Sequence, residues 1–209
     1  MTNEKNPDSE QWTPERRWEA MLDDYLNRSG IRLPQNPGVL NLGCGNNVKW
    51  NYLGVTGYLL KQGLGVPYYV GVDVKEESFA QAKKVMAGLV HFIAADARGL
   101  TRYLKGSFHL IIVEHPNLTT SPEGPRVWRQ VFEEAAALLA DEGALIVTSF
   151  WLNDHIPAQV VLGKAGYQLL FSGKNKYPGR LFDTLETGET LQTDKYILIA
   201  KKLKARSKP

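Results

Sequence analysis

Gly43 and Gly45 stand directly after an apolar run, and together the stretch reads V-L-N-L-G-C-G-N-N from Val39 to Asn47. Glycine adopts φ > 0 without strain and, lacking Cβ, lets the backbone come into van der Waals contact with a ligand. The pair therefore suits a bend with something flat laid against it. Asp73 closes the run Y-Y-V-G-V-D and Asp96 closes H-F-I-A-A-D. If these runs are successive strands of an open α/β sheet, both carboxylates reach the rim where such sheets bind ligands. Cys44, held between the glycines, reads as a small packed residue rather than a nucleophile.

The elements that must position these residues are legible from hydrophobic pattern. Pro37-Gly38 starts the first strand sharply, and Val39, Leu40 and Leu42 suit the middle of a parallel sheet covered on both faces. Upstream, Thr13-Pro14-Glu15 reads as a helix start and Ser29-Gly30 as its end, with Trp18, Met21, Leu22, Tyr25 and Leu26 as one apolar stripe. That helix packs on the flank of the domain, or covers the site with Trp18 and Tyr25. After the glycines, Asn46–Gly54 reads as an extended loop carrying Trp50 and Tyr52 before a helical segment ending near Gly63. Helices are expected over Glu76–Ala87, Leu100–Leu104, Pro122–Ala140 and Asp154–Gly163, and strands over Phe108–Val113, Ala144–Phe150, Gly166–Ser172 and Lys195–Lys201. Such alternation demands a parallel sheet with right-handed crossovers and helices on both faces. The last two strands, joined by a loop, suit an antiparallel pair at one edge. That loop, Gly173–Asp194, has no clear periodicity and reads as a lid.

Composition bounds the rest. The chain has 209 residues and a formal net charge of +3, the proportions of one ordinary globular domain. No apolar run approaches the length of a membrane span, and the polar start M-T-N-E-K-N-P-D-S-E is no secretory signal. The single cysteine excludes an intrachain disulfide and fits a reducing compartment, so a cytoplasmic protein is expected. His91, His109, His115 and His155 have no metal-ligand spacing, and no metal is expected. The expected layout is a disordered start over residues 1–12, one domain over 13–202 and a basic tail over 203–209.

Taken in order, N-L-G-C-G, G-V-D-V, A-A-D-A, I-I-V-E-H-P and D-E-G-A-L-I-V resemble the class I S-adenosylmethionine-dependent methyltransferases, from about Val39 to Lys202. The resemblance implies a Rossmann-like, doubly wound α/β fold: a seven-stranded sheet, mostly parallel with an antiparallel last strand, and helices on both faces. It implies S-adenosylmethionine as cofactor. Gly43, Cys44 and Gly45 would pass under its methionine part, Asp73 would accept from both ribose hydroxyls with Val74 beside it, and Asp96 would accept from the adenine amino group with the Ala97 amide near the ring. An ionised, acceptor-only carboxylate is suited to such paired hydroxyls. Glu114, His115 and Pro116 would flank the sulfonium and the acceptor. His115 is the first candidate base, since neutral imidazole accepts a proton near pH 7, and Glu114 is the second. The chain departs from the family at Asn41, where an acid is usual, and at Asn46-Asn47, where a third small residue is usual.

The expected activity is methyl transfer to an oxygen or nitrogen acceptor, on a small molecule or RNA. DNA is disfavoured, because no N/D-P-P-Y sequence follows strand four. Two alternatives stand beside it: a non-catalytic S-adenosylmethionine-binding scaffold, and an NAD-dependent oxidoreductase. The latter wants G-x-G-x-x-G running straight into a helix, and Val48 stands where its third glycine would be.

Overall fold

The computed structural model of the chain describes residues 12–183 and 190–203. The expectations of a disordered start and a basic tail fall outside these residues, apart from Trp12 and Leu203. In chain order the elements are α1 (Pro14–Arg28), β1 (Gly38–Leu42), α2 (Val48–Lys61), β2 (Tyr68–Asp73), α3 (Ala80–Val85), β3 (His91–Ala94), β4 (Phe108–Glu114), α4 (Gly124–Leu138), β5 (Leu139–Ser149), α5 (Leu152–Lys164), β6 (Tyr167–Lys174), β7 (Leu181–Asp183), β8 (Thr190–Gln192) and β9 (Tyr196–Lys202).

Seven strands form one sheet in the order β3-β2-β1-β4-β5-β9-β6. The pairs among β1 to β5 are parallel. β9 inserts between β5 and β6 and runs antiparallel to both. The strands alternate apolar side chains between two covered faces. Val39, Leu110, Ile112, Ile146 and Ile199 pack with α1, α2 and Phe79 on one face, while Leu40, Val70, Ile111, Leu145 and Leu198 pack with α4 and α5 on the other. Parallel strands buried on both faces read as continuous apolar runs, as these do.

The switch point of this order lies between β1 and β4, with β2 and β3 on one side and β5 on the other. Connections leave β1 in opposite directions there, opening a crevice beyond the carboxyl ends of the strands. Leu42 pairs with Val113, so Gly43, the first residue after β1, and Glu114, the last residue of β4, come side by side at that crevice.

Several expectations are revised. The loop expected over Asn46–Gly54 is helix: α2 begins at Val48. Gly54, a poor helix former, disguised it. Gly54 is there because α1 and α2 touch: a Cβ at this position would run into the Trp18 Cβ and the Glu15 backbone. The helix expected over Glu76–Ala87 is a 3-10 turn, Glu76–Phe79, followed by the short α3. β5 starts earlier than expected, and its pairing with β4 shifts register between Phe108 and Leu110. The Gly173–Asp194 segment contains β7 and β8, paired antiparallel as a small second sheet. Trp18 and Tyr25 are core residues, each 1% exposed.

Candidate functional site

Gly43 and Gly45 both have positive φ, +67° and +46°, and the amides of Gly43 and Cys44 close the bend on the Val72 carbonyl at 2.8 and 3.1 Å. A Cβ on Gly43 would meet nothing within 4 Å, so the outer side of the bend is open. Cys44 turns the other way: its Sγ would lie 3.0 Å from a Cβ on Gly71, and burial pushes its thiol up to about 12. It is a packed thiol, as read from the sequence.

Asp73 reaches across from β2. Its Oδ2 accepts from the Gly45 amide at 3.1 Å and its Oδ1 from the Lys75 amide at 3.4 Å. The carboxylate thus ties the glycine bend to the end of β2 and keeps unused lone pairs, since a carboxylate offers about four acceptor sites. Val74 beside it is 66% exposed. Asp96 follows β3 on the same edge and caps the 3-10 turn Ala97–Arg102 by accepting from the Arg98 amide at 2.9 Å. Its carboxylate also pairs with the Arg98 guanidinium at 2.5 Å, a bond that holds its pKa below the usual range. Both partners are about half exposed, and ion pairs of that kind contribute little.

Asn41 lies elsewhere. Fully buried, it donates from Nδ2 to the Tyr69 hydroxyl at 3.3 Å, and its Oδ1 has no hydrogen-bond partner. It faces the core beneath α2 instead of the open side of the bend.

Beyond the end of β4 lies a cleft whose walls come from α1, α2 and the 178–180 and 193–194 segments, with Arg17, Trp50, Asn51, Glu114, His115 and Asp194 among its lining. Glu114 is held by the Asn51 amide, which donates to Oε1. Burial above all, then the negative charge of Asp194, pushes its carboxyl up to about 7. His115 adopts φ +52°, turning its imidazole out of the strand line, where it stacks on Phe150 with centroids 3.6 Å apart. Its own amide donates to the Thr148 carbonyl at 2.9 Å. The following loop is anchored by Asp154 at the start of α5, whose Oδ1 accepts from the amides of Leu118 and Thr119 and the Thr119 hydroxyl.

Asp194 was not anticipated, and neither were Arg17 and Asn51. Asp194 Oδ2 pairs with Arg17 at 2.7 Å and Oδ1 lies 3.0 Å from His115 Nε2, with the Asp194 side chain 2% exposed. Burial opposes the charged form of Asp194, but Arg17 and His115 outweigh it and hold the carboxyl well below the usual range. Asn51 was hidden in the supposed loop. Nothing local marked Arg17 or Asp194, since each acquires its role from a segment remote in sequence. The Glu114, His115 and Asp194 ligand atoms lie within 4.8 Å of one another, a set that sequence spacing does not reveal.

The segment carrying Asp194 is fastened to α1. Lys176 N–H donates to the Tyr25 hydroxyl at 2.8 Å, and Arg17 donates to the Tyr177 carbonyl at 3.2 Å. The expected lid is thus, over its described residues, a wall packed on the first helix.

Comparison with solved structures places this architecture. The chain resembles an S-adenosylmethionine-dependent methyltransferase from Clostridium acetobutylicum, with TM-score 0.60 and 11% identity over 91% of this chain and 92% of that one. It resembles CalS10, an amino pentose methyltransferase from Micromonospora echinaspora with S-adenosylmethionine bound, with TM-score 0.60 and 11% identity over 93% and 94%. An rRNA methylase from Streptococcus thermophilus aligns with TM-score 0.52 and 13% identity over 93% and 99%. No protein-family model and no curated protein matches the sequence. The chain shares with these methyltransferases a Rossmann-like fold, a mostly parallel seven-stranded sheet with an antiparallel last strand. Among the described residues no helix is long and apolar enough to cross a membrane.

Proposed function

We propose that the protein is an S-adenosylmethionine-dependent methyltransferase acting on an oxygen or nitrogen acceptor, carried by a small molecule or by RNA. The observation that carries this reading is a juxtaposition. An open glycine bend braced by Asp73 leaves the sheet beside Glu114 and His115, which line a cleft at the switch point. The residues present fit the cofactor: Gly43 to Gly45 provide a cradle that a side chain would fill, Asp73 has lone pairs to spare for vicinal hydroxyls, and Val74 offers exposed apolar surface. Asp96 and Ala97 would serve the adenine, with Asp96 exchanging its exposed partner Arg98 for the ring amino group. Asn41, being buried, would act only by supporting the bend from below.

When bound, the cofactor supplies an electrophilic methyl group on a sulfonium. The protein's part is then alignment, exclusion of water and removal of the acceptor's proton. His115 is the base and Glu114 its neighbour, each held by a fixed partner. The walls contributed by α1 and by the segments at 178–180 and 193–194 favour a compact acceptor, or a single nucleotide turned out of its strand, over a duplex. Similarity to both an amino pentose methyltransferase and an rRNA methylase is compatible with either. The sheet order weighs against the oxidoreductase, because the dinucleotide-binding order 3-2-1-4-5-6 has no antiparallel strand inserted after the fifth. The immediate start of α2 removes the separate objection that a long loop follows the glycines.

Calorimetric titration with S-adenosylmethionine, S-adenosylhomocysteine and NAD tests the reading, with binding expected for the first two alone. Asp73→Ala removes an acceptor of two charge-assisted hydrogen bonds and is expected to weaken cofactor binding by about 100-fold or more. Wild-type affinity in that variant would remove the ribose assignment. His115→Ala is expected to keep cofactor affinity and lower S-adenosylhomocysteine release from an acceptor mixture by about 10²–10⁴.

A further inference from the structure

Among the described residues only His115 (φ +52°) and Asp194 (φ +50°) are non-glycine residues with positive φ, and they face each other. Neither is a β-branched residue, yet each occupies a region that costs free energy for any side chain, and such outliers persist where the surroundings over-determine them. Here the left-handed turn at Asp194 lets one residue offer His115 Nε2 both a backbone N–H, at 3.2 Å, and a carboxylate oxygen, at 3.0 Å. The two offers demand opposite protonation. The backbone N–H requires a lone pair on Nε2, whereas the carboxylate requires a proton there.

Two arguments decide between them. A hydrogen bond to an ionised carboxylate is roughly twice as strong as one between neutral groups. Asp194 Oδ1 is moreover buried 3.0 Å from Nε2, so a lone pair on that nitrogen would set two acceptors against each other, a repulsion that a proton on Nε2 removes. Arg17 meanwhile holds Oδ2, which fixes the orientation in which Oδ1 meets the ring. The stacking of the ring on Phe150 fixes its plane.

We propose that Asp194 is the positioning residue of His115: its carboxylate holds the imidazole in the Nε2–H tautomer and leaves Nδ1 as the nitrogen that receives the acceptor's proton. Within the proposed methyl transfer, on which this role of Nδ1 rests, the acceptor's lone pair forms the new bond to the methyl carbon. The electrons of the carbon–sulfur bond return to sulfur, and the O–H or N–H proton passes to Nδ1. The imidazolium so formed carries its charge against Asp194, beside Arg17 and Glu114 in the same cleft.

The test is a long-range ¹H–¹⁵N spectrum of the full-length ¹⁵N-labelled protein at pH 8.5, with the His115 ring assigned by its disappearance in His115→Gln. The expected result is a protonated-type Nε2 and an unprotonated-type Nδ1 in the wild type, with the two exchanged in Asp194→Asn, whose amide and backbone N–H both donate to Nε2. A wild-type ring carrying its proton on Nδ1 would overturn the proposal, as would an Asp194→Asn ring unchanged from wild type. If that variant does not fold because Arg17 is left without its carboxylate, R17M/D194N removes both charges and gives the same readout. With an acceptor in hand, Asp194→Asn is expected to lower kcat by about 10²–10⁴ while KM and cofactor affinity stay within about twofold; an unchanged kcat would overturn the proposal. The cofactor titration is a separate measurement. Loss of the methyltransferase reading would show there as absence of binding, with the tautomer still reporting on Asp194.

Discussion

At the carboxyl ends of β2 and β3, Asp73 and Asp96 work near the surface: one braces a glycine bend through backbone amides, the other pairs with an exposed arginine. At the end of β4, Glu114 and Asp194 are largely withdrawn from water and their protonation is driven in opposite directions, Glu114 up to about 7 and Asp194 down. The difference teaches where each region draws its specificity. The first uses backbone geometry and carboxylate oxygens held close to solvent, an arrangement suited to the proposed recognition of neutral hydroxyl and amino groups. The second stores charge in low dielectric, where a proton can be moved between groups and where removing a partner is costly.

Breaking the buried side should cost most. Arg17→Met leaves the Asp194 carboxylate without its guanidinium, and unpairing a buried ion pair costs about 3–5 kcal/mol. Urea unfolding should show that loss, and a midpoint close to wild type would mean the pair is wetter than its 2% exposure at Asp194 indicates.

Next in size is the pH dependence carried by Glu114. Its pKa is raised on folding, so its contribution to stability is full below the unfolded value near 4.5 and is lost as pH rises through about 7. Glu114→Gln keeps an acceptor for Asn51 and abolishes the titration. The stability difference between wild type and variant, measured from pH 4 to pH 8, should move against the wild type by on the order of 3 kcal/mol. A flat difference would place Glu114 in water. Asp194 behaves oppositely: its depressed pKa supplies stability above its unfolded value and loses it as pH falls below about 4.

The smallest effect sharpens the contrast from the exposed side. Arg98→Ala removes a partner that is about half exposed, and its Tm is expected to match wild type. Calorimetry should show cofactor affinity equal to or better than wild type, since Asp96 no longer has to exchange partners. Weaker binding would mean that Arg98 itself contacts the cofactor.

Where these residues sit along the strands could be read without coordinates. The glycine bend, Asp73, Asp96 and the Glu114-His115 pair were legible because each follows an apolar strand run and the constraint is carried by neighbouring residues. The start of α2 was not legible because Gly54 argues locally against a helix, and only the close approach of α1 explains it. Asn41 read as a residue of the binding edge, yet the alternation of β1 points it into the core against Tyr69. Asp194 lay in a stretch with no periodicity to interpret.

What the amino-acid order determined by itself was the succession of strands and helices, the sharp bend at Gly43 and Gly45, and the acids that end their strands. These follow from burial pattern and backbone freedom, which act over a few residues. Tertiary structure alone decided that Arg17 from the first helix and Asp194 from the segment before the last strand converge on His115. That convergence depends on β9 entering the sheet between β5 and β6 and on α1 packing against the same wall. Charges gain partners through space, and no spacing along the chain records which ones the closed sheet will bring within 3.0 Å.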